Sequence, residues 1–178
     1  QADFSYNAEW DPKHRRINPD LAGGAILDVG VYPIALAYWL MGKEPTSVSS
    51  TALIGKTGVD EQSAYLFGYD QGEIAVLSSA VHTDGPKEAV IIGEKGRIRV
   101  PLFWKADTAI FEAGDEEIER IHHPYPASGL QYQAAAAMEA LRAGKKEEEK
   151  MPWKESLRIM RMMDRCRQQW NMRYPWEA

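Results

Sequence analysis

The chain has 178 residues, of which 44% are hydrophobic and 26% are charged, and 21 basic against 26 acidic side chains give a net charge of −5. This acidic balance argues against a surface for nucleic acid or for anionic membranes. The single cysteine, Cys166, excludes an internal disulfide and a cysteine-based zinc cluster. The length fits one domain with a sizeable core, and a reducing cytoplasm is the expected location.

The chain opens with a short predicted strand, residues 2–6, and a polar loop, residues 7–20. Its first residues contain no initiator methionine and no signal segment, so we expect a piece of a larger protein. The loop carries a basic cluster, which is usually only solvated, but the planar guanidinium of Arg16 also suits a phosphate. Asn18 and Pro19 have the pattern of a helix cap followed by proline in the first turn.

The stretch 23–42, GGAILDVGVYPIALAYWLMG, predicts a buried helix that ends at Gly42. Asp28 and Tyr32 interrupt the apolar run four residues apart, which places them on one helix face, and Asp28 keeps the run below the length of a membrane span. Pro33 predicts a kink near residues 29–32. A carboxylate, a phenol and a kink indicate a candidate site. A structural interpretation stays open, with Asp28 as a cap and Tyr32 as a core aromatic.

After Gly42 the sequence predicts a mainly antiparallel sheet followed by two helices. The strands are expected at 47–54, 62–69, 73–82, 89–92, 97–102, 108–111 and 117–121, and tight turns such as Asp70-Gln71-Gly72 join them. Apolar and polar residues alternate poorly in 75–81, either because the register is wrong or because another subunit covers the second face. We favour the covered face. Helices are expected at 128–143 and 156–172, and the second has an apolar stripe of Leu157, Met160, Met163, Cys166 and Trp170.

Most catalytic motifs are missing from the sequence. It contains no G-x-G-x-x-G, no phosphate loop and no nucleophile elbow, and no metal site is expected because the adjacent His122 and His123 have no third ligand nearby. Tyr32 is the remaining acid/base candidate. A phenol, with an unperturbed pKa of about 10, is a poor base at neutral pH unless a cation lies close. The sequence shows no source for that cation.

Several segments together resemble the second domain of the Gfo/Idh/MocA oxidoreductases, which are NAD(P)-dependent sugar and polyol dehydrogenases. The first runs from Arg16 through INPDLAGGAILDVGVYPIALAYWLMG. Further segments are TGVDEQSAYLFGYDQGEIAVLSSA, GEKGRIRVPLFW, GLQYQ, MPWKES and MDRCRQQWNMRYP, so the resemblance covers almost the whole chain. It is strongest to the branch with dimeric dihydrodiol dehydrogenase, xylose dehydrogenase and glucose–fructose oxidoreductase. That branch has tyrosine, here Tyr32, where the inositol dehydrogenase branch has histidine.

The resemblance implies an α+β fold: an open, mainly antiparallel but mixed sheet with helices on one face and the other face free for dimerisation. It also implies a Rossmann domain, outside this sequence, which binds NAD or NADP and carries a catalytic lysine. Tyr32 would move a proton at the substrate hydroxyl or carbonyl, and Asp28 would position the substrate or the lysine. Trp104, Tyr6 and Arg16 would contact the substrate.

Two functional hypotheses follow. In the first, residues 1–178 are the single C-terminal substrate-binding and oligomerisation domain of an NAD(P)-dependent oxidoreductase that acts on a sugar, polyol or dihydrodiol. This domain would be inactive alone. In the second, the chain is a non-catalytic dimeric module that binds a small ligand or a protein and has lost its cofactor domain.

Overall fold

The computed structural model describes residues 1–177, which form one eight-stranded sheet with three α-helices. The strand order is β2-β3-β4-β1-β5-β6-β7-β8. The strands are β1 (Ala2–Ser5), β2 (Ser47–Ile54), β3 (Asp60–Gly68), β4 (Ile74–Ala80), β5 (Glu88–Gly93), β6 (Gly96–Pro101), β7 (Thr108–Ala113) and β8 (Glu116–His122). Neighbouring strands are antiparallel except for β1 and β4, which are parallel. The predicted mixed, mainly antiparallel sheet is confirmed.

Tight turns set the antiparallel pairing. At the β3–β4 hairpin, the Tyr69 backbone N–H donates to the Glu73 carbonyl at 3.0 Å. Gly72 in that turn adopts a φ of +90°, a conformation that side chains disfavour. The β5–β6 hairpin closes where Gly93 pairs with Gly96. Both hairpins lie where the sequence predicted them.

The central helix consists of two different pieces. A π-helical turn (Ile26–Gly30) leads directly into α1 (Val31–Met41), which ends at Gly42 in the left-handed conformation. Pro33 has no N–H to donate to the carbonyl four residues earlier, and a wider turn just before it accommodates that loss. The irregularity predicted at residues 29–32 is therefore a π-helical turn centred slightly earlier. The cap at Asn18 belongs to a short 3₁₀ helix, Pro19–Leu21.

Helices α1 and α3 (Trp153–Gln169) pack together on one face of the sheet, and the core lies between them and β3 and β4. The predicted apolar stripe of α3 is partly wrong, because Leu157 and Met160 are exposed while Ile159 and Met162 are buried. A spacing of three residues drifts against the helical repeat of about 3.6. Leu157 and Cys166 consequently lie about half a turn apart around the helix axis.

The third helix, α2 (Gln131–Arg142), has no buried residue. It begins three residues after the predicted start and ends one residue before the predicted end. Five of its 12 residues are alanine, which favours a helix without supplying a large apolar face.

The sheet face opposite α1 and α3, here called the open face, carries exposed aliphatic side chains. In β3 and β4, Tyr65 and Leu77 point to the helices and are buried, while Leu66 and Val76 pair on the open face, 49% and 47% exposed. Ile74 at the start of β4 is also exposed. Buried and more exposed side chains alternate from Ile74 to Ser79, and Ala80 and Val81 are then both buried. The poor contrast in the sequence therefore comes from aliphatic residues on both faces and not from a wrong register.

The segment Pro19–Met41 is long and apolar enough to cross a membrane by length and composition alone, contrary to the sequence-based expectation. In the structure, Ile34, Ala37 and Tyr38 of this segment belong to the main core cluster. We therefore interpret it as the core helix of the domain.

Candidate functional site

Asp28, on the π-helical turn, is held by two arginines of the preceding loop. The Arg15 Nη1 donates to Asp28 Oδ1 at 2.5 Å, and the Arg16 Nε donates to Oδ2 at 2.9 Å. The Asp28 side chain is 14% exposed and that of Arg16 is 23% exposed, whereas Arg15 reaches into solvent. Charge-assisted bonds in a partly buried setting fix the carboxylate, and the loop is fixed to the turn by the same bonds.

Tyr32 belongs to an aromatic cluster centred on Phe4 of β1. The Tyr32 ring meets Phe4 edge-on with centroids 4.9 Å apart, and Trp104 stacks on Phe4 at 4.0 Å with the planes 15° apart. Tyr6 lies 5.2 Å from Phe4, and Phe103 also contacts it edge-on. Phe4 is buried while Tyr32 is 41% exposed, so the cluster presents a phenol at the surface of an aromatic wall.

Arg16 connects the ion pair with the aromatic cluster. Its guanidinium carbon lies 4.7 Å from the centre of the Tyr6 ring, a cation–π geometry, while its Nε bonds Asp28. The five residues predicted for the site are thus joined by a chain of contacts. Within residues 1–177, however, no hydrogen bond joins Asp28 to Tyr32 directly.

Two cavities adjoin this aromatic wall. Tyr32, Phe103 and Trp104 line both of them, one of about 540 Å³ toward α3 and one of about 670 Å³ toward α2. Trp104 lies in a 3₁₀ turn, Phe103–Lys105, which follows the end of β6 after one residue. An aromatic wall beside an exposed phenol offers a stacking surface for a flat ring or for the apolar face of a sugar.

A buried polar network on β3 and β4 is hydrogen-bonded to the π-helical turn. Asp60 Oδ2 accepts from the Ile26 backbone N–H and from the Ser63 hydroxyl, both at 2.9 Å. The Tyr65 hydroxyl bonds Ser63 at 2.6 Å and Ser79 at 2.7 Å. These groups fix the first residue of the turn that carries Asp28.

Glycines allow the turn to approach this network. A Cβ on Gly30 would lie 2.7 Å from the Tyr65 hydroxyl, and one on Gly24 would lie 2.5 Å from Asp60 Oδ1. Gly24 also has a φ of +122°, which side chains disfavour. Gly24 and Gly30 of the sequence GGAILDVG are therefore required for the close approach of the turn to β3.

Burial changes the titration of this network. Burial raises the pKa of Asp60 to about 6, and the hydrogen bonds from Ser63 and Ile26 oppose that rise. Burial also raises the pKa of the Tyr65 phenol above its ordinary value. Tyr65 therefore acts as a neutral hydrogen-bonding group.

Sequence reasoning missed four residues of this region: Phe4, Arg15, Asp60 and Phe103. Arg15 and Phe103 are direct neighbours of Arg16 and Trp104, and adjacency was the available signal. Phe4 follows from the alternation of β1, which turns it to the helix face together with Ala2. Asp60 had no signal beyond being an acid at the start of an apolar strand.

In the part of the chain described, residues 1–177, no group of three or more histidine, cysteine, aspartate or glutamate side chains is arranged to hold a metal ion. The site is instead built from an arginine–aspartate ion pair and an aromatic wall that carries an exposed phenol.

The fold and the site define an α+β sheet domain with a polar and aromatic site at the start of its central helix. A sequence model of the GFO/IDH/MocA C-terminal domain matches residues 1–99 of the chain. The chain therefore belongs to the GFO/IDH/MocA oxidoreductase family.

Two curated relatives illustrate the similarity. The chain is 30% identical to trans-1,2-dihydrobenzene-1,2-diol dehydrogenase of Xenopus tropicalis, over 90% of the chain and 51% of the relative. It is also 30% identical to D-xylose 1-dehydrogenase (NADP(+)) of Hypocrea jecorina, over 98% of the chain and 52% of the relative. The chain thus spans about half the length of the curated relatives it matches.

Solved structures share the fold. Aldose-aldose oxidoreductase from Caulobacter crescentus superposes with a TM-score of 0.80 at 21% identity, over 94% of this chain and 51% of that one. The 3-ketoreductase KijD10 from Actinomadura kijaniata, solved with NADP and TDP-benzene, gives a TM-score of 0.77 at 22% identity, over 94% of this chain and 52% of that one. These matches support the α+β fold described above.

Proposed function

We propose that residues 1–178 form the single C-terminal substrate-binding and oligomerisation domain of a larger NAD(P)-dependent dehydrogenase, which oxidises or reduces a sugar, polyol or dihydrodiol. The observation that carries the proposal is the exposed Tyr32 phenol on the Phe4–Trp104 aromatic wall, in a chain of an oxidoreductase family. The named relatives include a dihydrodiol dehydrogenase and an NADP-dependent xylose dehydrogenase.

In this proposal Tyr32 is the proton-transfer group. When a hydroxyl-bearing carbon is oxidised to a carbonyl, the hydroxyl loses a proton and the carbon loses a hydride. The Tyr32 hydroxyl would take or return that proton at the substrate oxygen. The exposed position of the phenol leaves its oxygen accessible for this contact.

The other predicted residues have positioning roles. Trp104 would stack against the substrate ring. Tyr6 would hold Arg16 in place through the cation–π contact between its ring and the guanidinium. Asp28 would act through Arg15 and Arg16, because both of its oxygens already accept from guanidinium groups. A direct bond from Asp28 to a substrate or to a lysine would have to compete with these two arginines.

The residues of this chain fit one end of a nicotinamide cofactor. The aromatic wall and the Tyr32 phenol suit a planar ring, whereas the sequence has no glycine-rich loop for the phosphates. A bound nicotinamide would supply the hydride acceptor or donor. The adenosine and phosphate parts would be held by a separate Rossmann domain, which would also supply the lysine cation for Tyr32.

The open face would form a homodimer. Leu66, Ile74 and Val76 expose aliphatic surface on adjacent strands, a composition typical of interfaces between subunits. A cytoplasmic location is consistent with Cys166, which is a free, buried thiol.

Two measurements test the proposal. An immunoblot of the native protein should show a mass above 20.1 kDa by roughly the 100–150 residues of one further domain. The purified native protein should reduce NAD or NADP in the presence of a sugar, polyol or dihydrodiol, whereas the 178-residue chain alone should not. A native mass of 20.1 kDa with no nicotinamide binding would favour the alternative, a dimeric binding module without catalysis.

A further inference from the structure

The segment that follows α3, residues 170–177, returns to the start of the turn that carries Asp28. The Tyr174 hydroxyl donates to the Gly23 carbonyl at 2.6 Å, and this hydrogen bond is buried. Gly23 and Gly24, which precede the π-helical turn, are buried as well. Burial raises the pKa of the Tyr174 phenol, so its hydroxyl is a neutral donor at physiological pH.

The two glycines are also bound to the loop that carries the arginines of the site. The Gly24 N–H donates to the Arg16 carbonyl at 2.7 Å. A Cβ on Gly23 would lie only 2.9 Å from the Arg15 carbonyl oxygen and 2.9 Å from the Arg16 carbonyl carbon. The Gly23 backbone therefore packs directly on the backbone of the two residues whose guanidinium groups hold Asp28.

Apolar packing adds a second contact between the segment and the loop. Ile17, the residue after Arg16, is 1% exposed and belongs to one core cluster with Met172 and Tyr174. A buried isoleucine fixes the backbone on which it sits, because moving it would expose its side chain or open a cavity. The segment thus supports the loop through Ile17 as well as through the two glycines.

Tyr174 is itself held in place by its neighbours. The Arg167 guanidinium carbon lies 4.8 Å from the centre of the Tyr174 ring, and the Trp176 ring stacks on it with centroids 5.0 Å apart. Arg167 donates two hydrogen bonds to Glu177, and Glu177 Oε2 accepts from the Tyr174 N–H at 2.9 Å. These hydrogen bonds lower the pKa of Glu177 to about 2, so the ion pair is present throughout the physiological pH range. A side chain locked in this way can position the group that it bonds.

We propose that Tyr174 is a positioning residue of the candidate site, acting on the loop that carries Arg16. Its contacts with Gly23 and Ile17 fix the loop, and the fixed loop lets the Arg16 guanidinium bond Asp28. The Tyr174 hydroxyl bonds a backbone carbonyl, so its effect on a substrate passes through Arg16. The inference rests on the function proposed above for the arginine–aspartate pair.

The test compares four forms of the full-length protein: the unmodified protein, Tyr174→Phe, Arg16→Gln and the double variant. Phenylalanine keeps the ring contacts with Arg167 and Trp176 and removes only the hydroxyl, so the fold should be retained. Tyr69→Phe removes the hydroxyl of a buried tyrosine at the distant β3–β4 hairpin and serves as the control. The readouts are KM, kcat and hydrogen exchange of the Gly24 amide.

Tyr174→Phe should raise KM about fivefold and leave kcat within about twofold, because a misplaced Arg16 lowers the fraction of protein that can bind substrate. In the Arg16→Gln background the same substitution should change KM by less than about twofold, since the group that it positions is gone. An unchanged KM in Tyr174→Phe, a loss confined to kcat, or the same change of KM in both backgrounds would overturn the proposal.

Hydrogen exchange separates the failure of this inference from the failure of the proposed function. The Gly24 amide, which donates to Arg16, should exchange about fivefold faster in Tyr174→Phe and at an unchanged rate in Tyr69→Phe. If the unmodified protein turned over no sugar, polyol or dihydrodiol, the proposed function would fail, but faster exchange at Gly24 would still show that Tyr174 fixes the loop. Unchanged exchange at Gly24 would overturn the positioning role whatever the protein turns over.

Discussion

Replacing Asp60 with asparagine isolates the buried carboxyl group that supports the candidate site. Asp60 is fully buried, and its Oδ1 has no hydrogen-bond partner in the described chain. Burial raises its pKa from the ordinary value of 3.8 to about 6. The folded state therefore holds the proton more tightly than the unfolded state. The stability from this group is fully present below about pH 3.8 and is lost as the pH rises through 6.

The size of the effect follows from these two values. The difference between 3.8 and about 6 corresponds to roughly 3 kcal/mol at about 1.4 kcal/mol per pKa unit. Roughly 2 kcal/mol of this change falls between about pH 4.5 and about pH 7.5. Asparagine keeps an acceptor for the Ile26 N–H but does not titrate. Relative to Asp60→Asn, the unmodified chain should lose about 2 kcal/mol of unfolding free energy over this range.

Urea denaturation at a series of pH values measures this difference. Subtracting the unfolding free energy of Asp60→Asn from that of the unmodified chain at each pH removes the contributions of all other titrating groups. Asp115→Asn, in the exposed β7–β8 turn, controls for the loss of one negative charge. If the difference between the unmodified chain and Asp60→Asn stayed constant across the pH range, the buried carboxyl would not titrate as described.

Three further variants test other parts of the structure. Gly30→Ala should cost about 1–3 kcal/mol of unfolding free energy, because its Cβ would clash with the Tyr65 hydroxyl. Adding Tyr65→Phe to the same chain should relieve part of that cost. If the losses of unfolding free energy from the two single variants simply added in the double variant, this packing would be contradicted. If the chain forms the proposed homodimer, Leu66→Lys should reduce its mass in light scattering to that of a monomer, while Ile118→Lys, far along the sheet, should not. A dimer mass that is unchanged in Leu66→Lys would exclude the open face as the interface. In the proposed full-length dehydrogenase, Arg16→Gln should raise KM about tenfold and leave kcat within about twofold, because the proposal gives Arg16 a positioning role. A loss confined to kcat would contradict that role.

The sheet was predictable from the sequence because its signals are local. Turn residues such as Asp70-Gln71-Gly72 and stretches of β-branched residues define the strands one by one. The parallel pairing of β1 with β4 is not local, since it joins residues about 75 positions apart in sequence. Similarly, which residues of α3 are buried depends on how the helix packs against the sheet, so the error in its predicted apolar stripe could not be recognised from the sequence.

The candidate site was likewise predictable only where its signals are local in the sequence. The spacing of Asp28 and Tyr32 and the family resemblance identified the start of the central helix, where Asp28 lies on the π-helical turn and Tyr32 in the first turn of α1. The partners of Asp28 could not be deduced, because the loop that carries Arg15 and Arg16 has no periodic pattern. The aromatic wall depends on Phe4, and its contacts with Tyr32 and Trp104 require the strand order of the folded sheet.

The central proposal is that Tyr32 transfers the proton in a nicotinamide-dependent dehydrogenase. The most direct test is the turnover of Tyr32→Phe in the full-length protein, beside Tyr69→Phe, which removes a phenol at the distant β3–β4 hairpin. We predict that Tyr32→Phe lowers kcat by about 10²–10⁴-fold with nicotinamide affinity and Tm unchanged, and that Tyr69→Phe retains turnover. A Tyr32→Phe enzyme with nearly normal kcat would contradict the assignment.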